Sequence, residues 1–551
     1  MKRREFINAA LAGGVLALRG GRSSAQEARM ADARIEILLD EPIGGIAPEI
    51  YGHFVEHLGG VVYDGIWVGE DSKIPNIGGI RLAIVEAMKK IRASVVRWPG
   101  GCFADSYNWR DGIGPRNARP RRPNFWIDAP EWPKGAPDGP WKYDPNHFGV
   151  GEFLRFCQLS GAQPYLAANL RSLTARDFYE WVDYCNSPAG STTLAEMRAA
   201  AGQREPWNVR YWGVGNESWG CGGSFTPEEY AAEFRRFSEW APRYGLNLAF
   251  VGSGPNSGDL SWSRRFFSRM AEKGGFGRIW GWGLHHYSWN VTGGRTTNWF
   301  EGKGDAVNYP DNEWYELLSE ANRMEKLITD HWAIMGEFDR QHRVKLAVDE
   351  WGAWYKPGSE VHSSHLLGQQ ATIRDAVLAG LTLDIFHRHA DKVAMANIAQ
   401  LVNCLQSLFL AHEDKFILTP TYHVFDMYAA HQGGQSLRTN VSSPPLKYAS
   451  NGKPATMRGL NGSASLHDRQ VVLTVTNPDP KASMETEIAI LGANIKEVRV
   501  TTLTSKDIHA HNSFENPRVI EPQSSQATAK GRAMAYAFAP ASVTRLQITL
   551  T

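Results

Sequence analysis

Two stretches of this chain, "RYWGVGNESWGCGG" from Arg210 and "VKLAVDEWGAWY" from Val344, share one layout. An apolar, aromatic run ends on a carboxylate, Glu217 in the first and Glu350 in the second, and tryptophan and glycine follow. Burying a carboxylate in such surroundings is costly unless something pairs with it or uses it. Glu217 alone would fit a structural ion pair with Arg97 or Arg210; two such glutamates brought together fit acid–base chemistry better. One carboxyl group can protonate a departing oxygen while the other attacks or activates water. Cleavage of a glycosidic bond needs that division of labour, and retention of configuration needs the two groups roughly 5–5.5 Å apart.

The elements around them say how such distant residues could meet. From Glu49 to about Asn403 the chain repeats one unit, a short apolar run that passes into an amphipathic helical stretch. The runs are "EIYGHFVEH", "ASVVRWP", "QPYLAANL", "VRYWGVGNE", "NLAFVGSG", "IWGWGLHHY", "VKLAVDEW" and "VAMANIAQL". Helical stretches such as "RLAIVEAMKK" and "TPEEYAAEFRRFSEW" lie between them; in the latter Thr226, Pro227 and Glu229 read as a capped helix start. Eight alternations predict a closed (β/α)8 TIM barrel, whose reactive groups sit at the C-terminal ends of its strands. Glu56, Arg97, Asn169, Asn216, Glu217, His285, Tyr287, Glu350 and Gln400 all fall at or beside such ends. Further on, "RQVVLTVTNPD", "METEIAILG", "IKEVRVTTLT" and "MAYAFAPASVTRLQITL" predict an antiparallel β-sandwich. "SSPPLKYASNGKPAT" and "NSFENPRVIEPQSSQ" read as loops. The expected organisation is a strand over 33–46 that pairs with the C-terminal domain, a catalytic barrel over 47–420 and a jelly-roll-like sandwich over 421–551.

Composition narrows the partners. Lys+Arg total 59 against Asp+Glu 58 in 551 residues, so no charge excess favours nucleic acid and the expected ligand is neutral. Twenty tryptophans and eighteen tyrosines suit sugar faces, with Trp98, Trp109, Trp219, Trp289 and Trp351 as candidate platforms, although core packing explains each singly as well. Residues 1–25 combine Lys2, Arg3 and Arg4 with an apolar stretch from Ala9 to Leu18, a pattern that predicts a twin-arginine export signal. The expectation is an exported, periplasmic or secreted protein with no membrane association once the signal is removed. Adjacent His285 and His286 point to opposite faces of a strand and cannot easily share a metal. The glycine-rich segments lack a phosphate-binding spacing. The expectation is therefore no metal and no cofactor.

The ordered set "YGHFVEHLGG" from Tyr51, "RWPGGCFADSYNWRDGIGP" from Arg97, "GNE" at Glu217, "LHHYS" from Leu284, "DEW" at Glu350 and "ANIAQLVN" from Ala396 resembles the family-51 α-L-arabinofuranosidases. These are retaining barrel glycosidases with a C-terminal β-sandwich, and the resemblance runs from the first barrel strand to the eighth. It implies Glu217 as general acid/base, kept protonated by a tryptophan-rich setting and a negative neighbour, and Glu350 as nucleophile. It implies that Asn216 binds the sugar 2-hydroxyl, that Glu56 and Arg97 bind hydroxyls across the furanose, and that Gln400 closes the pocket. Tyr287 would orient the nucleophile and His285 would shape the surroundings of the acid. Arg97 as a pure ion-pair brace remains an alternative. Cys102 stands where many members carry a sugar-binding Asn, and a thiol donates weakly, so that contact departs from the family pattern. With Cys221 one tight turn beyond the acid, a Cys102–Cys221 disulfide at the pocket rim is one outcome; Cys157 and Cys185 read as buried thiols. The substrate implied is an arabinose-containing oligo- or polysaccharide such as arabinoxylan or arabinan, and the assembly a homo-oligomer, hexameric by resemblance. Two alternatives stand beside this reading: a related barrel glycosidase acting on another sugar, such as a β-D-galactofuranosidase, β-xylosidase or endo-glucanase, and a non-catalytic carbohydrate-binding protein.

Overall fold

The computed structural model describes residues 31–291, 296 and 301–551. The predicted alternation closes into a barrel of eight parallel strands: Gly52–Phe54, Val95–Trp98, Gln163–Ala168, Tyr211–Val214, Ala249–Gly252, Ile279–Ser288, Lys345–Ala353 and Val393–Ala399. The eighth strand pairs with the first, Ile398 opposite His53. Val95, Tyr165, Tyr211, Val251 and Met395 pack into one cluster. Helices cover the outside, among them Leu82–Lys90, Val150–Ser160, Pro227–Ser238, Asp311–Phe338 and Ile373–Arg388. At the head of Pro227–Ser238, Thr226 and Glu229 form the expected reciprocal cap.

One irregularity positions the chemistry. Gly283 lies opposite Ala347, but His285 lies opposite Glu350, so the seventh strand carries one residue more than the sixth over this span. The same excess recurs against the eighth strand, where Val348 faces Ala396 and Trp351 faces Ile398. In a regular strand, consecutive residues point to opposite faces. A bulge suspends that alternation and re-aims a side chain, and here Asp349 and Glu350 both reach the groups lining the barrel mouth.

The second domain is built on a mostly antiparallel sheet of nine strands among the described residues. Ala33–Gly45 lies within it, antiparallel to Gln435–Ser442 and parallel to Met484–Leu491. The parallel pair departs from the all-antiparallel expectation: inserted between two neighbours that run in opposite directions, the strand is antiparallel to one and parallel to the other. The stretch read as a loop at 442–456 contains a hairpin, Leu446–Ser450 with Lys453–Met457. Its turn holds Asn451-Gly452, a tight-hairpin signal hidden by the prolines before it. Gln523–Ala527, which begins within the second stretch read as a loop and runs one residue past it, is an edge strand of the large sheet.

Candidate active site

The mouth of the barrel gathers the predicted residues by strand. Arg97, from the second strand, is buried and forks: Nη1 donates to Glu350 Oε1 at 2.6 Å and Nη2 donates to Asn216 Oδ1 at 2.5 Å. It therefore serves protein acceptors at both ends, the brace arrangement, and its guanidinium stacks 4.7 Å from the Phe54 ring. Tyr287 OH donates to the other oxygen of Glu350 at 2.9 Å. His285 and Tyr287, two residues apart on the sixth strand, share the inward face, while His286 turns outward to the backbone oxygen of Glu320 at 2.9 Å.

His285 sits among three carboxylates. Its Nδ1 lies 2.9 Å from Glu217 Oε1 and 3.5 Å from Glu350 Oε2, and its Nε2 lies 3.2 Å from Asp349 Oδ1. Burial alone would lower its pKa; the charges of Glu350 and Asp349, with hydrogen bonds to Asp349 and Glu217, outweigh burial and lift it to about 10. It is thus an imidazolium at neutral pH. Asp349 is held below the usual carboxylate range in spite of its burial, chiefly by the His285 charge, with Arg97 adding to it. An atom each from Glu217, His285 and Glu350 lies within 4.8 Å of the other two, a cluster of metal-ligand type.

Glu217 follows the fourth strand in a tight turn and takes a left-handed backbone, φ 38°, rare for a residue with a side chain. Its two oxygens have different neighbours. One oxygen meets His285, and the other meets the Cys102–Cys221 disulfide, with Cys221 Sγ at 3.7 Å and Cys102 Sγ at 4.0 Å. Cys102 accordingly has no S–H to donate. Cys157, Cys185 and Cys404 are free and buried. Trp98, Trp109 and Trp351 are fully buried in the core, so only Trp219 and Trp289 of the five candidate platforms keep an exposed portion.

Glu56 and Gln400 close the opposite side. Gln400 Oε1 accepts from the Glu56 backbone N–H at 3.0 Å, and its Nε2 donates to Glu56 Oε2 at 3.3 Å. Glu56 Oε1 accepts the backbone N–H of Phe103 at 2.9 Å; burial nonetheless pushes its carboxyl up to about 7. Asn169 stands apart from the two glutamates, holding the backbone oxygen of Tyr107 at 3.1 Å.

Two residues escaped sequence reasoning. Asp349 was visible only as the neighbour of Glu350, and without the bulge it would face away. Asp105 is buried beneath the acid turn, where it accepts backbone N–H groups from Leu170 at 2.7 Å and Asn216 at 3.2 Å. Burial lifts its carboxyl to about 7, against those hydrogen bonds. Nothing local in "GGCFAD" signals that role. A concavity of about 1220 Å³ on the flank, lined by residues such as Glu70, Arg116, Arg119 and Glu152, lacks the reactive pair. Its glutamates are bound to Arg116 and Arg119.

Comparison with known proteins bears on this site directly. Residues 87–259 match the model of the α-L-arabinofuranosidase 1 domain, and residues 349–542 match that of the α-L-arabinofuranosidase C-terminal domain. The chain is 36% identical, over 89% of its length and 90% of the relative, to the intracellular exo-α-L-arabinofuranosidase of Bacteroides ovatus. It is 28% identical, over 75% of its length and 79% of the relative, to the intracellular exo-α-(1→5)-L-arabinofuranosidase of Acetivibrio thermocellus. Among solved structures, the GH51 arabinofuranosidase from Xanthomonas axonopodis pv. citri superposes with a TM-score of 0.85 at 34% identity, covering 94% of this chain and 100% of that one. Both curated relatives are named intracellular, which overturns the expectation of an exported protein; residues 1–25, on which that expectation rested, lie outside the described residues. A paired-carboxylate mouth in a closed eight-stranded barrel, matched over nearly the whole chain, makes this protein a glycoside hydrolase that belongs to family 51, the α-L-arabinofuranosidases.

Proposed function

We propose that the enzyme is a retaining, exo-acting α-L-arabinofuranosidase that releases terminal α-L-arabinofuranosyl residues from arabinoxylan, arabinan or arabino-oligosaccharides by two successive displacements. The observation that carries this reading is the approach of the two glutamates. A carboxylate oxygen of Glu217 lies within 4.8 Å of one of Glu350, a spacing that suits direct attack and leaves little room for the water an inverting enzyme holds between its acids.

In the first step Glu350 attacks the anomeric carbon while Glu217 delivers its proton to the leaving oxygen. Arg97 and Tyr287 fix the two oxygens of Glu350, so the attacking lone pair is oriented before substrate arrives. In the second step Glu217, now a base, takes a proton from water, and that water displaces Glu350 from the sugar. The His285 imidazolium, within hydrogen-bond reach of Glu217, offsets the negative charge that passes between the two glutamates during the cycle. Asn216, its oxygen taken by Arg97, presents its amide nitrogen toward the sugar 2-hydroxyl, while Glu56 and Gln400 serve hydroxyls on the far side.

The test is a paired substitution. Glu350→Ala is expected to abolish turnover with the fold intact, and azide to restore product of inverted configuration, read by NMR at the anomeric proton. Glu217→Ala is expected to lower kcat by roughly 10²–10⁴-fold on substrates with poor leaving groups and far less on nitrophenyl arabinofuranoside. Wild-type rates in either variant, or inverted product from the unmodified enzyme, would refute the mechanism. A panel of nitrophenyl furanosides and pyranosides fixes the sugar.

A further inference from the structure

Away from the paired glutamates, three histidines converge where three loops meet at the rim. His362 and His365 lie in the segment after the seventh barrel strand, and His412 ends the strand Phe409–His412 of a hairpin with Lys415–Leu418. Each can bring one ring nitrogen to within 4.8 Å of those of the other two. Asp64, from the loop after the first strand, backs them: its Oδ2 lies 3.0 Å from His365 Nε2 and 2.7 Å from His412 Nδ1, and its Oδ1 accepts the Glu413 backbone N–H at 2.7 Å. Arg81 approaches Asp64 at 3.9 Å and takes up part of its charge.

A carboxylate that accepts one ring N–H from a histidine fixes the tautomer and leaves a lone pair on the other nitrogen, the support that metal-binding imidazoles receive. That other nitrogen of His365, Nδ1, is buried and has no hydrogen-bond partner. A buried nitrogen without a partner is costly, and a cation that reached Nδ1 would remove the cost. The rings of His362 and His412 are stacked, with centroids 4.2 Å apart and planes 17° apart, while His365 crosses them at 68° and 83°. Stacked rings cannot aim in-plane lone pairs at one point, so binding needs His362 to turn. It is half-buried at the rim and its Nδ1 is bonded to neighbouring Ser364 at 2.7 Å, so a side-chain rotation suffices. Zinc bound at about 2.0–2.1 Å holds imidazole nitrogens roughly 3.4 Å apart, about 1.4 Å closer than the 4.8 Å outer limit seen here.

We propose that His362, His365 and His412, supported by Asp64, form a site for a zinc-class divalent cation that cross-links three loops at the rim of the barrel mouth. Three imidazole nitrogens with water in the fourth position match a borderline-soft ion in tetrahedral geometry, not calcium or magnesium, which take oxygen. The site is separate from the reaction: none of these side chains touches Glu217 or Glu350, and the hydrolytic steps do not involve the ion.

The experiment uses the full chain, stripped with chelator and then exposed to zinc chloride. One zinc ion per chain retained after gel filtration, a melting temperature that rises and saturates with zinc, and the visible absorption of a tetrahedral nitrogen-ligated centre with cobalt are the expected results. His362→Ala and His412→Ala are expected to lose the retained metal and the melting shift while keeping zinc-free activity. His362→Gln and His412→Gln repeat the test if either alanine variant misfolds. Failure of the unmodified chain to retain zinc overturns the proposal. So does equal retention in both variants, which would move the ion elsewhere, the Glu217–His285–Glu350 cluster included.

Discussion

Arg97 divides one planar guanidinium between Glu350 Oε1 and Asn216 Oδ1, so a single rigid group sets the spacing of side chains carried by the second, fourth and seventh strands. A lysine keeps the charge but cannot serve two acceptors in one plane. Arg97→Lys is therefore expected to lower kcat/KM by roughly 10²-fold with unchanged circular dichroism, the size of loss that a small misplacement of reacting groups brings. Unchanged kinetics in that variant would remove Arg97 from the positioning of Glu350. His285 gives a pH signature. Its folded pKa, about 10, lies above the ordinary value of 6.5. The native state thus binds the extra proton, and stability from this group is fully present below about pH 6.5 and lost as pH rises through about 10. His285→Gln is expected to flatten the fall in melting temperature across that window, and an unchanged slope would assign the fall to other groups.

The loops after the second and fourth strands leave little room for change. At Gly101 an added Cβ would stand 3.0 Å from Glu350 Oε1 and 3.4 Å from the Phe54 ring. Gly101→Ala is expected to raise KM and lower kcat while the melting temperature stays near the wild-type value, since the clash falls on the pocket and not on backbone. Gly222 is different: its Cβ would meet the backbone oxygen of Asn216 at 1.8 Å. The turn that carries Glu217 cannot close with a side chain there, so Gly222→Ala is expected to lose activity and stability together, seen in kinetics and thermal melts of the same preparation. These constraints also mark the reach of the sequence. The eight barrel strands were legible because buried runs such as "QPYLAANL" stop at polar residues, and Glu217 and Glu350 because each ends such a run. The bulge at Asp349 was not legible, since one extra residue in a strand leaves the apolar pattern intact and shows only against the neighbouring strands. The hairpin at Leu446–Met457 was obscured by Pro444 and Pro445, and the cluster of His362, His365 and His412 by the distance in sequence between its members.

The two domains share a buried polar junction. Asp384, on the helix Ile373–Arg388, accepts from Ser463 and Thr474 at 2.7 Å and from Thr476 at 3.3 Å, all from the sheet domain. On the same helix His387 spans from Ser463 at 2.8 Å to Tyr51 at 2.6 Å, next to the first barrel strand. Every residue from Ile373 to His387 is buried, so the helix belongs to both bodies. Asp384→Ala is expected to cost roughly 2–4 kcal/mol, because the hydroxyls lose a charged acceptor. A single lowered transition in calorimetry is the expected form, and two separate transitions would show the domains to be independent. The strand Ala33–Gly45 adds a constraint of timing. It lies between Gln435–Ser442 and Met484–Leu491, partners made some 400 residues later. At ribosomal rates of roughly 5–20 residues per second, that apolar strand waits about 20–80 s without its neighbours. Nascent chains must therefore carry an unpaired strand through synthesis of the entire barrel, which makes this segment the natural client of holding chaperones and the first place to look when expression ends in inclusion bodies.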